Sequence, residues 1–429
     1  MATDRITLSD ALTSNAQSKR DRIITRALRR PLAVDGGEPV RTESFPHWPS
    51  FSNDEITAVV SVLQSGKVNY WTGEECQQFE KEYAMFTGSE HAIAVCNGTV
   101  SLELALYAMG IGPGDEVIVP SRTFIASASS VIMRGATPVI VDIDRNSQTL
   151  TAATIRPALT PRTKAVIAVH LAGWPCDMDP ILMLGKEHGF KVIEDCAQAH
   201  GAAYKARRVG SIGRVGSFSF CQDKIMTTGG EGGMLTTDDQ AVWERSLSFK
   251  DHGKNFHKVR RHQNALVFNW VHDCFGTNLR LTEMQASIGR VLLRKIADQV
   301  KTRRSNATIL TECFTGIPSL RVTIPPTEID HSYYKYYVFL RPEMLRSNWD
   351  QKRIIKAIVA EGIPCSSGAC SEIYLEAAFP KALRPPEALP VARELGKTSL
   401  MFLVHPTLGE REMTETCRAV EKVMKVATI

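Results

Sequence analysis

Phe218-Ser219-Phe220-Cys221-Gln222-Asp223-Lys224-Ile225-Met226-Thr227-Thr228, closed by Gly229-Gly230-Glu231-Gly232-Gly233, is the stretch on which the reading of this chain turns. Apolar residues alternating with small hydroxyls give a short strand, and the glycines end it. One lysine stands between the two. Held between an apolar strand end and a Gly-rich turn, Lys224 can be partly desolvated, which leaves a nucleophilic amine. Such an amine suits a Schiff base to an aldehyde cofactor. Taken alone, it is equally a surface lysine in a loop.

About thirty residues upstream lies Lys191-Val192-Ile193-Glu194-Asp195-Cys196-Ala197-Gln198-Ala199-His200-Gly201. A short apolar run ending in acids reads as a buried strand whose carboxyl end opens onto a site, where α/β folds keep their chemistry. Pyridoxal 5'-phosphate needs an anion at its ring nitrogen, because a protonated pyridinium makes the ring an electron sink. Asp195 at a strand end and Lys224 on a neighbouring turn supply both requirements. An acid in that position also caps a following helix equally well.

A third element is Val95-Cys96-Asn97-Gly98-Thr99-Val100-Ser101-Leu102-Glu103-Leu104-Ala105-Leu106. Asn-Gly-Thr is a turn and N-cap signal, and Leu102, Leu106 and Met109 then recur at helical spacing. Free backbone N–H groups at a helix N-terminus make an anion site, and Gly98 allows close approach of a phosphate. Ser219 can add a hydroxyl from the other side. An ordinary capped helix explains the same residues.

The three elements, in this order, resemble the sugar aminotransferases of the DegT/DnrJ/StrS family, fold-type I enzymes that use pyridoxal phosphate. The resemblance runs from about Ser44 to about Leu408. Further signposts are Pro113-Gly114-Asp115-Glu116-Val117-Ile118, Thr123-Phe124, Gly135-Ala136-Thr137-Pro138-Val139, Val141-Asp142-Ile143-Asp144 and His170-Leu171-Ala172-Gly173. The match resumes at Gly276-Thr277-Asn278-Leu279-Arg280-Leu281-Thr282-Glu283-Met284-Gln285-Ala286.

The resemblance implies a role for each matching residue. Lys224 would hold the cofactor covalently and, once released, shuttle the proton between cofactor and substrate carbons. Asp195 would pair with the pyridinium nitrogen, Gln198 would face the ring hydroxyl, and Phe124 would lie over the ring. Gly98, Thr99 and the Ser219 hydroxyl would cradle the phosphate. Asn278 would reach the phosphate from a second subunit, so that a homodimer shares its sites. Phe124 also reads as core packing, and His170 as a residue behind the site. Related sugar dehydratases carry a histidine in place of the lysine, so Lys224 argues for amino transfer. One departure stands out: the family places one glycine before Glu-Gly-Gly, and this chain has Gly229-Gly230.

The implied function is transfer of an amino group from glutamate or glutamine to a keto or aldehyde group of a sugar, nucleotide-linked in most of the family, by a ping-pong route. A keto-cyclitol or a keto-octulosonic-type sugar is the alternative acceptor, and a non-catalytic regulatory protein is the alternative on the same fold. Tyr70, Trp71, His252, His331, Tyr333 and Tyr374 lie in segments within reach of an acceptor, since aromatic faces stack on sugar and base rings. Each also reads as ordinary packing. A nicotinamide enzyme is excluded, because Gly210-Ser211-Ile212-Gly213-Arg214-Val215-Gly216 has the wrong spacing for a dinucleotide turn and leads into a strand.

The 429 residues exceed one compact core and imply two unequal domains. We expect an N-terminal basic arm over 1–40, a large cofactor-binding α/β domain with a mostly parallel sheet over 41–304, and a smaller α+β domain over 305–429. Strands are expected at Glu116–Val119, Thr137–Val141, Ala165–Val169, Lys191–Glu194 and Ser217–Phe220, then at Tyr333–Leu340 and Ser399–Thr407, with a helix at Gln351–Glu361. Ser9-Asp10 would cap a helix carrying Lys19, Arg20, Arg22, Arg26, Arg29 and Arg30. A net charge of +5 is mild for this length and does not by itself imply nucleic acid. No nucleic-acid partner is expected, although the basic arm also reads as a contact for nucleic acid or phospholipid. The ten cysteines are scattered without a CxxC pair, the pattern of reduced thiols in a cytoplasmic enzyme rather than of a disulfide framework or a metal site. No stretch reads as a signal peptide or membrane span.

Overall fold

The apolar runs that alternate with helical stretches come together as one seven-stranded sheet. The structure, a computed structural model, describes residues 31–261 and 269–429. The strands are β1 (His91–Val95), β2 (Glu116–Pro120), β3 (Thr137–Val141), β4 (Thr163–Val169), β5 (Lys191–Asp195), β6 (Val215–Ser219) and β7 (Gly233–Thr237). Their spatial order is β1-β7-β6-β5-β4-β2-β3. All are parallel except β7, which runs against both β6 and β1. Every residue of β2 and β6 is buried, as a sheet covered on both faces requires.

Five of these strands coincide with the expected ones to within two residues at either end. β1 and β7 were not expected. β7 begins inside the glycine run and carries two threonines, so it has little apolar signature, while β1 is short and its alternation is broken by alanines.

Parallel register brings the catalytically expected residues to one rim. Val169 pairs with Asp195, and Asp195 with Ser217. The His170 N–H donates to the Asp195 carbonyl, and the Cys196 N–H to the Ser217 carbonyl. Just beyond β1, Asn97 caps helix α1 (Gly98–Ala108), its side-chain oxygen accepting from the Val100 N–H at 3.0 Å. Helix α2 (Ala126–Met133) follows β2. The carboxyl ends of β1, β2, β4, β5 and β6 therefore share one edge, where α/β sheets hold ligands.

A second, antiparallel sheet has the order β8 (Leu320–Arg321), β9 (Tyr336–Leu340), β11 (Ser399–Phe402), β10 (Cys365–Ser366). Helices α4 (Gln351–Ala360) and α5 (Glu410–Ala427) cover it with a core of its own. β9 starts at Tyr336 rather than Tyr333. Tyr333 has a positive φ of 48°, and the Tyr334 N–H donates to the Ala172 carbonyl instead of to a ladder.

Two stretches of chain link the two bodies. Helix α3 (Glu283–Thr315) runs unbroken through residue 304. It packs on the helices Asn53–Ser65 and Glu75–Thr87 and, further on, on α5. The segment before Ser44 sits on the small domain: Leu32 is buried in its core, the Ala33 and Val40 N–H groups donate to the Glu361 carboxylate, and Arg41 pairs with Glu412 and Glu415. The basic helix expected near residues 9–30 lies outside the described residues.

Candidate active site

Between the strand rim and the small domain lies a cavity of about 1060 Å³. Gly98, Thr99, Phe124, Asp195, Gln198, Ser219 and Lys224 all line it. Seven residues singled out from separate stretches thus meet in one place.

Asp195 is buried at the end of β5. Its Oδ2 accepts from the Ser127 hydroxyl at 2.8 Å and its Oδ1 from the Ala197 N–H at 3.2 Å. Burial pushes its carboxyl above the usual carboxylate range, against the opposing pull of those two bonds and of the Lys224 charge. An acid so placed gains from a cationic partner in the cavity. Behind it, His170 does not reach the cavity. The Cys176 N–H donates to His170 Nδ1 at 3.0 Å, which leaves Nε2–H to donate to Glu194 Oε2 at 3.0 Å. Glu194 also accepts from the N–H groups of Gly210, Ile212 and Gly213, so His170, Glu194 and Cys196 form a buried clasp with the carboxylate already occupied.

Lys224 sits on the turn after β6. Its Nζ is 3.6 Å from Asp223 Oδ1 and 5.1 Å from the centroid of the Tyr334 ring. The Lys224 carbonyl accepts from Trp48 Nε1 at 2.9 Å, which fixes the backbone. The extra glycine beyond it is accommodated: Gly229 and Gly230 have φ of 87° and 128°, a region that only glycine enters without strain. Thr227 Oγ1 donates to the Phe220 carbonyl and accepts from the Gly230 N–H.

The other end of the cavity has the form of an anion cradle. A Cβ on Gly98 would meet Ser219 Cβ at 2.5 Å, so helix α1 approaches β6 as closely as glycine allows. Asn97 satisfies the N–H groups of Val100 and Ser101, and those of Gly98 and Thr99 have no protein acceptor among the described residues. Two free amides, a helix N-terminus and the Ser219 hydroxyl suit a phosphate. Gln198 Oε1 accepts from the Ala172 N–H at 2.8 Å, which leaves its amide N–H₂ for a ligand oxygen. Phe124 is 68% exposed at the cavity wall and is not core packing. The residues fit pyridoxal phosphate at three points: an acid for the ring nitrogen, an amine for the aldehyde and a cradle for the phosphate.

Other expected residues lie elsewhere. His331 is buried and stacked on Tyr333 at 3.8 Å, with burial lowering its pKa to about 3. Both pack beside the Gly173 turn rather than in the cavity, because that turn abuts Ser332 and Tyr333. Tyr374 is buried, its hydroxyl donating to Glu372. Tyr70, Trp71, His252 and Asn278 gather in a separate cluster around Asp251. Trp71 Nε1 donates to Asp251 Oδ2 at 2.6 Å, Arg280 pairs with Asp251, and Asp251 bridges Asn278 through the backbone. Tyr70 is buried beneath the Lys250 ammonium, whereas His252 and Asn278 are exposed.

Sequence reasoning missed Ser127, Asp223, Tyr334, Lys335 and Tyr337, all of which line the cavity. Ser127 stands in the first turn of α2 and its N–H donates to the Phe124 carbonyl just before the helix, a tight turn that brings the two together. Tyr334 and Lys335 come from the small domain, and the Tyr334 hydroxyl donates to Asp223; no local pattern announces such a long-range pair.

A profile of the DegT/DnrJ/EryC1/StrS aminotransferase family matches residues 49–421. The chain is 39% identical to a Caulobacter vibrioides protein named GDP-perosamine synthase, over 81% of this chain and 89% of that one. It is 32% identical to L-glutamine:2-deoxy-scyllo-inosose aminotransferase of Streptoalloteichus tenebrarius, over 92% of this chain and 97% of that one. The crystal structure of an aminotransferase from Psychrobacter cryohalolentis superposes with a TM-score of 0.88 at 50% identity, covering 89% of this chain and 99% of that one.

Proposed function

We propose a donor, an acceptor and an order of reaction for this chain, which belongs to the DegT/DnrJ/EryC1/StrS aminotransferase family. It is a pyridoxal-phosphate-dependent aminotransferase of fold type I that acts on sugar-like carbonyl compounds. The donor is L-glutamate or L-glutamine, the acceptor is a keto group of a nucleotide-linked sugar, and the two react in turn by a ping-pong route. The relative named for L-glutamine supports the donor, and the relative named for a GDP sugar supports the acceptor. A keto-cyclitol is the second acceptor reading, favoured by the 97% of the cyclitol aminotransferase that this chain covers.

One observation carries the reading: Lys224 Nζ faces the same cavity as a buried Asp195 and the Gly98–Ser219 cradle. Pyridoxal phosphate supplies an aldehyde that takes up the amino nitrogen and a protonated ring that draws electron density from the reacting carbon. In our reading Asp195 holds the ring-nitrogen proton and Lys224 Nζ carries a proton between carbons. Ser127 fixes the carboxylate and Phe124 covers the ring.

We also assign a homodimer in which the exposed Trp71–His252–Asn278 cluster completes the partner's cavity, Asn278 reaching the phosphate. Among the described residues no helix is long and apolar enough to cross a membrane, and all ten cysteines are free, which supports a reducing cytoplasmic setting. The test is the visible spectrum of the purified protein: a yellow band that bleaches with L-glutamate or L-glutamine is expected. A protein that takes up no pyridoxal phosphate would overturn the assignment.

A further inference from the structure

We propose that Lys335 is a binding residue for a substrate carboxylate, the α-carboxylate of the amino-acid donor, held in the cavity beside Lys224. The identification with the donor rests on the glutamate- or glutamine-dependent reading above. The carboxylate site itself rests on the geometry of the small-domain wall.

Lys335 lines the cavity and is half-buried. It forms no ion pair or hydrogen bond with a carboxylate among the described residues; its ammonium lies 4.7 Å from the centroid of the Tyr334 ring. Lys224 lies 5.1 Å from the same ring, so the two ammonium groups share one aromatic neighbour. Both also line the same cavity, so a carboxylate on a molecule held at Lys224 shares that space with the Lys335 ammonium.

The local charges do not balance. Arg303, on helix α3, is buried, and its Nε and Nη2 have no partner. Its Nη1 donates to the carbonyls of Tyr333 and Tyr334. Asp223 is the anion that faces Lys335, and it already accepts from the Tyr334 hydroxyl and faces Lys224. His405, from the loop after β11, is neutral, its pKa lowered to about 3 by burial and by Arg303 and Lys335. Lys224 and Lys335 therefore share one occupied carboxylate, with the Arg303 charge acting on Lys335 from behind, in a wall where an uncompensated charge is costly. Burial, reinforced by Arg303 and Lys224, depresses Lys335 to about 8.

The position is built rather than loose. The Tyr334 N–H donates to the Ala172 carbonyl, while the Ala172 N–H donates to Gln198. The backbone carrying Lys335 is thus pinned to the loop that presents Gln198 to the cavity.

The experiment is calorimetric titration of glutarate, an unreactive dicarboxylate, into the holoenzyme and into Lys335→Met and Lys335→Arg at pH 7 and pH 9. Lys335 is charged below about 8 and neutral above it, so wild-type affinity should fall about tenfold over that interval. Lys335→Met should bind at least tenfold more weakly at pH 7 and lose the pH dependence, and Lys335→Arg should bind at both pH values. A retained visible band and melting temperature establish that the variants fold. Equal affinity of wild type and Lys335→Met at pH 7, or an unchanged pH slope in Lys335→Met, overturns the site.

Bleaching by L-glutamate and by L-glutamine separates the possible sources of the carboxylate. An equal rise in half-saturating concentration for both in Lys335→Met supports the α-carboxylate, which both share. A rise for L-glutamate alone, or for neither, overturns the donor assignment and places the carboxylate elsewhere on a substrate. A wild type bleached by neither amino acid, yet binding glutarate through Lys335, keeps the site and removes the donor reading beneath it.

Discussion

On the large-domain wall of the cavity the polar groups hold one another: Ser127 and the Ala197 N–H hold Asp195, Ala172 holds Gln198, and Asn97 holds the first turn of α1. On the wall formed by Tyr334, Lys335 and the Arg303 behind them, two guanidinium nitrogens have no partner and one ammonium lies over a ring without an ion pair of its own. The first wall is preorganised and keeps its shape whatever enters. The second retains unbalanced charge that a ligand can neutralise. We read the first as addressed to the permanent cofactor and the second to the molecules that come and go.

Removing Lys224, which faces both walls, should have the largest effect. Lys224→Ala should cost about 10³-fold or more in turnover while still taking up pyridoxal phosphate, as measured by steady-state assay and by cofactor content. Mixing it with Asn278→Ala should restore part of the activity if each cavity draws on both chains. No recovery in subunit-exchanged mixtures would leave the Trp71–Asn278 cluster outside the site.

A smaller effect is expected within the preorganised wall. Asp195→Asn should lower kcat by about 10²-fold, yet melt no lower than wild type by scanning fluorimetry, since the substitution removes a charge that burial disfavours. A lower melting temperature with kcat retained would make Asp195 structural and erase the contrast between the walls. Ser127→Ala, which deletes one 2.8 Å bond to that carboxylate, should cost about 1–2 kcal/mol, roughly tenfold in kcat. A loss equal to that of Asp195→Asn would mean that the wall acts as one unit.

The same contrast explains what the sequence disclosed. Asp195, Ser219 and Gly98 stand at the ends of strands or at a capped helix, where periodicity and turn chemistry mark the position; five of the seven strands were therefore readable, as was the rim these residues occupy. Ser127, Lys335 and Arg303 owe their roles to neighbours far away in the chain, such as the Tyr333 and Tyr334 carbonyls above Arg303. Tertiary contact alone assigns them. The exposed cluster around Asn278 was legible only through family resemblance, and within one chain it lies apart from the cavity it was expected to serve. The change of texture read near residue 304 lies inside a continuous helix, which the sequence pattern did not mark as one element.

That helix, Glu283–Thr315, has 33 residues and spans roughly 50 Å. Near its start Glu283 accepts the N–H groups of Glu75 and Cys76, and further along Arg303 grips the two tyrosine carbonyls. Such a rod has no joint: swinging one lobe about it would break the ladder of backbone bonds at the bend. One unbroken axle thus ties the Glu75–Cys76 turn at one end to the tyrosine wall at the other.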